Sequence, residues 1–287
     1  MKIVVTGGSG RLGKVVVRDL RDKGFSAINL DRVRGEHGWT YILDLSDAAQ
    51  VYDALASIRP DGVIHLAADP EPGGRPRHAQ FANNVLSALA VLQASADFGV
   101  KQFVYASSEM ASGWTRGHSP ITHLPLTEED TLVPINSYAL GKRVGELLCE
   151  STAAAHPGMT IVSLRINYVV FEDDYSRLAR ATAHFPSGEY SHWAYVDGRD
   201  VAKATRLAIA LERPGHHIYN VAAPDTFIDI PTIEAMERIQ KPVRMRDSWP
   251  IFGSPMDCSK IQQELGWQAD YLWRSQSALI EEDEPTS

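Results

Sequence analysis

Tyr138 and Lys142 stand four residues apart in Ser137–Ala155, a stretch with helical apolar spacing, so their side chains share one helix face. An ammonium beside a phenol favours the phenolate and draws a pKa of about 10 toward the working range. Such a tyrosine can take the proton of a substrate hydroxyl while hydride leaves the same carbon. Ser108 follows a strand-like run, Gln102–Ala106, and its hydroxyl can steady the developing carbonyl oxygen. An acceptor for the hydride is suggested near the start of the chain. Gly7 and Gly10 lie between a short β-branched run, Lys2–Thr6, and an amphipathic stretch, Leu12–Lys23, with Gly13 at the start of that stretch. Glycines so placed permit a tight turn, the approach of a pyrophosphate to backbone N–H groups, and close packing of helix on strand. The helix N-terminus, with Arg11 beside it, favours an anion. Asp31 ends the second strand and can accept hydrogen bonds from both adenosine ribose hydroxyls, which favours NAD. Arg32 and Arg34 can stack on adenine or reach a 2′-phosphate, so NADP stays open. Lys142 can also hold the nicotinamide ribose.

The elements that must position these residues alternate. Strand-like segments are Lys2–Thr6, Phe25–Asp31, Trp39–Asp44, Gly62–Ala68, Gln102–Ala106 and Thr160–Ile166. Helical ones are Leu12–Lys23, Ala48–Ile58, Gln80–Phe98 and Ser137–Ala155. The alternation predicts βαβ units and an α/β fold with a doubly wound parallel sheet. Residues 1–166 are expected to form the dinucleotide-binding domain. Residues 167–287 are expected to form a small substrate-binding region, with 196–222 returning to the sheet. There the pattern breaks into shorter pieces, with helices over Val201–Leu211, Thr232–Ile239 and Ser259–Leu265. Asp69–Arg77 reads as a loop over a site, and Glu281–Ser287 as a frayed acidic end. His65, on a strand buried on both faces, reads as a core histidine, and Asp200 as a helix cap.

The chain has 287 residues, 44% hydrophobic and 22% charged, the balance of a globular protein with a full core. A net charge of −8 without a basic block argues against nucleic acid as a partner. No apolar run approaches the ~18 residues of a membrane span, so no membrane partner is expected. The strand at Lys2 leaves no room for a signal peptide. Two distant cysteines, Cys149 and Cys258, suit a reducing compartment and no metal site. A cytoplasmic enzyme is expected.

Several longer motifs resemble the extended short-chain dehydrogenase/reductase family, also called the NAD-dependent epimerase/dehydratase family. They are Thr6–Gly13, Asp44-Leu45, His65–Ala68, Phe103–Ser108, Leu124–Glu129, Pro134–Lys142, Val196–Ala202, Asp257–Lys260 and Leu265–Trp267. The resemblance implies a Rossmann domain binding NAD(P), with Ser108, Tyr138 and Lys142 as the catalytic triad. It places Asp44 and Leu45 at the adenine, and Leu66, Ala67 and Ala68 along the cofactor. Leu12, Ala106 and Ile166 also fall to the cofactor site, and Asn84 matches an asparagine that braces the active-site backbone. Ser108, Glu109 and Asn167 fall on the substrate side. A homodimer through the 80–98 and 137–155 helices is a further implication.

Two departures bear on the reaction. Dehydratases of the family place an Asp-Glu pair after the catalytic hydroxyl, whereas this chain has Glu109-Met110, and methionine cannot abstract a proton. Nucleotide-sugar enzymes of the family carry a substantial insert where this chain has only Tyr168–Tyr195. That interval holds Arg177, Arg180, His184, His192, Trp193 and Tyr195, which suit a small polyol or sugar acid. Arg177 is similar to the substrate arginine of the family's short uronate and aldose dehydrogenases, and His192 is a second candidate substrate contact. The expected function is therefore an NAD(P)-dependent dehydrogenase of a small sugar-like substrate. The alternative is a (nucleotide-)sugar epimerase with no net redox change, and a third reading is a dinucleotide-sensing regulator without chemistry.

Overall fold

In the computed structural model, seven parallel strands form one sheet in the order β10-β7-β5-β4-β1-β2-β3. These are β1 (Lys2–Thr6), β2 (Ser26–Asp31), β3 (Thr40–Ile42), β4 (Gly62–His65), β5 (Gln102–Ser108), β7 (Thr160–Ile166) and β10 (Gly215–Val221). The structure describes residues 1–36, 38–70, 76–113, 123–130, 133–182, 184–185, 191–239 and 243–275. The central part of the Asp69–Arg77 loop and the acidic end at Glu281–Ser287 lie outside the described residues.

Helices cover both faces, as a parallel sheet requires. Along β1 the side chains alternate: Ile3 and Val5 enter one core with Val16 and Leu20 of α1 (Arg11–Asp22) and Ala204 and Ala208 of α6 (Gly198–Ile209). Val4 enters the other core with Leu55 of α2 (Ala48–Ile58), Val91 of α3 (Arg77–Asp97) and Cys149 of α4 (Ser137–Ala155). The first core runs on into the C-terminal region, where Trp193, Tyr195, Phe227 and Trp267 are buried. That region adds two short strand pairs. β6 (His123–Leu124) pairs with β11 (Arg244–Met245), and β8 (Val169–Val170) with β9 (Val196–Asp197). Its helices are α5 (Tyr175–Thr182), α7 (Thr232–Arg238) and α8 (Ser259–Leu265).

Strand order reverses between β1 and β4, since the chain runs outward through β2 and β3 on one side and through β5, β7 and β10 on the other. Sheets of this kind bind ligands at the carboxyl edge beside such a reversal.

Several boundaries differ from the sequence expectation. β4 ends at His65 rather than Ala68, and Leu66 and Ala67 leave the sheet while donating their N–H groups to the Thr6 carbonyl and Oγ1. β5 extends to Ser108, held in register opposite Ile166 of β7. α3 starts at Arg77, directly after Pro76, whose backbone is still extended (φ −51°, ψ 136°) and marks the helix boundary. α6 starts at Gly198, capped by the Asp197 side chain accepting from Arg199 N, so Asp200 is not the cap. Asp200 instead is buried in the first turn and receives the backbone N–H groups of Asp270 and Tyr271, tying down the C-terminal segment.

Candidate active site

A cavity of about 740 Å³ opens at the carboxyl edge of the sheet, from the loop after β1 across to α4. At one end lie Gly7, Gly10, Arg11, Leu12 and Gly13. Gly10 precedes α1 without any side-chain cap, so the first-turn N–H groups offer an anion-binding end. A Cβ at Gly13 would come within 2.1 Å of the Gly7 carbonyl oxygen, so only glycine lets α1 sit this close to the loop. Asp31 Oδ2 accepts from Ser9 N at 3.0 Å and Oδ1 from Arg32 N at 2.7 Å, which pins the carboxylate at the cavity wall. These features fit a dinucleotide: an uncapped helix end for its diphosphate and a fixed carboxylate at the adenosine end.

Leu45, Leu66, Ala67, Ala68, Ala106 and Ile166 line the cavity as well. Two expected contacts fall outside its lining. Asp44 turns to Ser46 and Arg32, and their hydrogen bonds, led by that of Ser46 N, hold its carboxyl below the usual range. Asn84 accepts from Asp69 N at 2.7 Å and donates to Asp69 O, so it fixes the backbone beneath the cavity rather than lining it. Arg32 bonds Asp44 and Asn83. Arg11 pairs with Asp173 and Asp174 and lies over the Phe171 ring at 4.2 Å, which directs its guanidinium to the far rim instead of to the helix end.

At the other end Ser108, Tyr138 and Lys142 meet. α4 is capped by Asn136, whose Oδ1 accepts from Ala139 N at 2.8 Å, and this sets Tyr138 in the first turn with Lys142 one turn on. Gly145 lets α4 approach β5, since a Cβ there would lie 2.1 Å from the Tyr105 hydroxyl. The fully buried Glu146 receives Nε and Nη2 of Arg165 at 2.9 and 3.1 Å and the Ser107 hydroxyl at 2.7 Å. This clamp joins the tyrosine–lysine helix to the strand that ends in Ser108.

Lys142 Nζ donates to the Ala106 carbonyl at 2.6 Å and lies 5.7 Å from the Tyr138 ring centroid. Burial lowers the lysine pKa to about 8. Tyr138 is pushed up, first by burial and then by the charge of Glu109, while the Ser108 hydroxyl acts the other way. His65 is a core histidine bonded to Thr6 Oγ1 at 2.9 Å, with burial lowering its pKa to about 3.

On the substrate side, Glu109, Asn167 and Arg177 line the cavity. Arg177 donates to the Tyr168 hydroxyl at 2.6 Å and pairs with Asp174 at 3.3 Å. His192 does not line it. The backbone turns through the left-handed region at His192 and Trp193 (φ 50° and 58°), which buries both in the C-terminal core. Trp193 and Tyr195 are core residues too, and Tyr195 donates to Asp225 at 2.7 Å. The side chain of Arg180 lies outside the described residues, and His184 is exposed. The lining also includes Ser9, Val33, Asn83, Ser87, Ser107, Tyr168, Val169 and Phe171, which the sequence did not single out, along with Met110 and with Asp69 and Pro70 of the loop expected over a site. Ser9 sits inside the glycine motif and Ser107 beside Ser108, so adjacency alone could have pointed to these two.

The family model of the NAD dependent epimerase/dehydratase family matches residues 3–222. The chain belongs to this family. It is the extended short-chain dehydrogenase/reductase family that the sequence motifs resemble. Among curated relatives it is 30% identical over 182 residues to UDP-glucose 4-epimerase 1 of Oryza sativa subsp. japonica, covering 57% of this chain and 50% of that protein. It is 27% identical over 241 residues to the NAD-dependent glucose-6-phosphate dehydrogenase of Haloferax volcanii, covering 78% of this chain and 86% of that one. The chain spans about half the length of the UDP-glucose 4-epimerases it matches first. Its fold is similar to that of a solved UDP-glucose 4-epimerase from Thermotoga maritima, with a TM-score of 0.75, 24% identity and 98% of each chain covered.

Among the described residues no group of three or more His, Cys, Asp or Glu is placed to hold a metal ion. No described helix is long and apolar enough to cross a membrane.

Proposed function

We propose that this protein is an epimerase of a nucleotide-linked sugar, oxidising a sugar hydroxyl and reducing the carbonyl again on the opposite face. The observation that carries the reading is the single cavity that brings Ser108, Tyr138 and Lys142 to one end and the glycine loop with Asp31 to the other. The curated relatives named UDP-glucose 4-epimerase support a nucleotide sugar. This sets the epimerase alternative ahead of the small-sugar dehydrogenase expected from sequence. The argument from the short Tyr168–Tyr195 interval also loses force, because the Thermotoga maritima epimerase, solved with UDP-glucose, is coextensive with this chain.

In this reading NAD, when bound, accepts and returns the hydride. The α1 N-terminus holds its diphosphate and Asp31 its adenosine ribose. Tyr138 receives the hydroxyl proton at its phenol oxygen, and Ser108 steadies the carbonyl oxygen. Lys142, whose Nζ lies 2.6 Å from the Ala106 carbonyl in the cavity wall, would hold the nicotinamide ribose. Met110 lines the cavity where a dehydratase would carry its second carboxylate, which argues against elimination of water.

A dehydrogenase of a small sugar is the second reading, favoured by the relative from Haloferax volcanii that is covered over most of its length. Incubation with UDP-glucose and with free and phosphorylated hexoses distinguishes the two: epimerisation leaves no net NADH, whereas dehydrogenation accumulates it. We also propose that two copies pair through α3 and α4, which leave Leu86, Leu140 and Leu147 nearly half exposed.

A further inference from the structure

Arg11 opens α1, so its backbone N–H belongs to the uncapped helix end at the cavity, while its side chain leaves that end. The guanidinium reaches the segment that follows β8, where it pairs with Asp173 and, through Nη1 at 2.9 Å, with Asp174. It also lies over the Phe171 ring, 4.2 Å from the centroid. Arg11 and Phe171 both line the cavity, so one side chain joins its two walls.

The receiving wall is fixed. Asp174 is buried, and its Oδ2 accepts Phe171 N at 3.0 Å together with Arg11 Nη1, while its Oδ1 pairs with Arg177 Nη2 at 3.3 Å. The Phe171 ring fits against Gly198 at the start of α6, where a Cβ would come within 2.6 Å of it. Next in the chain, the Tyr175 hydroxyl donates at 2.8 Å to Asp197, the residue that caps the same helix. Arg11, by contrast, has a half-exposed side chain that can swing away without disturbing this wall. An ion pair between two exposed groups contributes little, but this carboxylate is nearly buried and shared by two guanidiniums.

We propose that Arg11 and Asp174 form a clasp that retains a bound dinucleotide in the cavity, an inference that rests on the NAD-dependent reading above. The first-turn N–H groups of α1, that of Arg11 among them, would hold the diphosphate, and from the same residue the side chain runs to the opposite wall. Release of the dinucleotide then requires the ion pair to part. In an epimerisation the reduced cofactor and the oxidised sugar must stay together until the hydride returns, so slow release serves that reaction. Asp174 does not itself line the cavity, and it acts as a positioning residue through Arg11. Its charge gives the proposal a sign. As a bare charge, a carboxylate near an anionic diphosphate repels it, so removing that charge would slow release. As the anchor of Arg11, its removal speeds release.

The test measures cofactor release from the full-length protein. NADH is bound, displaced by excess NAD, and the loss of its bound-state fluorescence is followed by stopped flow. Asp174→Asn is the decisive variant, because the amide oxygen can still accept Phe171 N while the charge that grips Arg11 is gone. Release should be about 10-fold faster than wild type in Asp174→Asn and in Arg11→Met, and Arg11→Lys should restore part of the retention. The Arg11→Met/Asp174→Asn double variant should release no faster than the faster single one, since both break one contact. Unchanged or slower release in Asp174→Asn overturns the proposal. So do additive effects in the double variant, the result expected if Asp174→Asn merely loosens its own turn. If no sugar is converted by the wild type, the epimerase reading fails while the release rates still decide the clasp. A wild type that binds neither NADH nor NAD overturns the NAD-dependent reading and the clasp with it.

Discussion

Arg165 on β7 meets Glu146 on α4 through two parallel bonds, Nε to Oε1 at 2.9 Å and Nη2 to Oε2 at 3.1 Å, both side chains almost wholly buried. The same guanidinium donates to the Glu128 carbonyl, and Glu128 in turn accepts Asn220 N of β10. Three sheet strands, a loop and the helix that carries Tyr138 and Lys142 are thus tied at one point. Removing one partner leaves a buried charge uncompensated. Glu146→Ala should destabilise the protein by about 3–5 kcal/mol in urea unfolding, and pairing Glu146→Leu with Arg165→Met should recover a large part of the loss.

Tyr138→Phe removes a phenol oxygen at the rim of the reaction end and leaves the glycine loop and Asp31 untouched. Turnover should fall by about 10²- to 10⁴-fold. NAD affinity, followed by quenching of tryptophan fluorescence, should stay within a few-fold of wild type. A lost NAD affinity would instead mean that Tyr138 serves mainly to bind.

Glu109 also predicts a pH dependence of stability. Its pKa is raised in the fold from the ordinary 4.5 to about 7, so the folded state holds a proton that the unfolded chain has given up. The stabilising contribution is complete below about pH 4.5 and is lost as the pH rises through about 7. Between pH 4.5 and 8 the wild type should lose up to about 3 kcal/mol relative to Glu109→Gln. Chemical unfolding of the two proteins at matched pH measures the difference directly.

Leu86 on α3 and Leu140 and Leu147 on α4 carry the dimer proposal. Leu147→Glu should convert a dimer to a monomer in light scattering behind size exclusion, with little effect on the fold, because this side chain is nearly half exposed.

Much of this was legible in the chain. Helix spacing located α4 to the residue, and the glycine motif located the α1 end of the cavity. Both signals are local: an i, i+4 pair shares a face whatever the tertiary context, and three glycines between strand and helix leave few other conformations. Contacts made across the fold were not legible. The turn of Arg11 toward Asp173 and Asp174 spans more than 160 residues, and nothing near Arg11 announces it. The polar and aromatic interval around His192 suggests a site residue. A left-handed turn, which no local motif marked, sends it into the core. The preference of Lys142 for the Ala106 carbonyl over Tyr138 depends on how far α4 sinks toward β5, and Gly145 permits that depth. Asp200 shows the same limit, since its partners are the backbone of Asp270 and Tyr271.

The proposed reaction oxidises a sugar hydroxyl and reduces it again at the Ser108–Tyr138 end of the cavity. Its most direct test follows purified protein with NAD and UDP-glucose, by chromatography of the sugar nucleotides and by absorbance of NADH in the same sample. The expected result is conversion of UDP-glucose to its C4 epimer, with no NADH accumulating. NADH accumulating in step with oxidation of a free or phosphorylated hexose, with the nucleotide sugar unchanged, would contradict it.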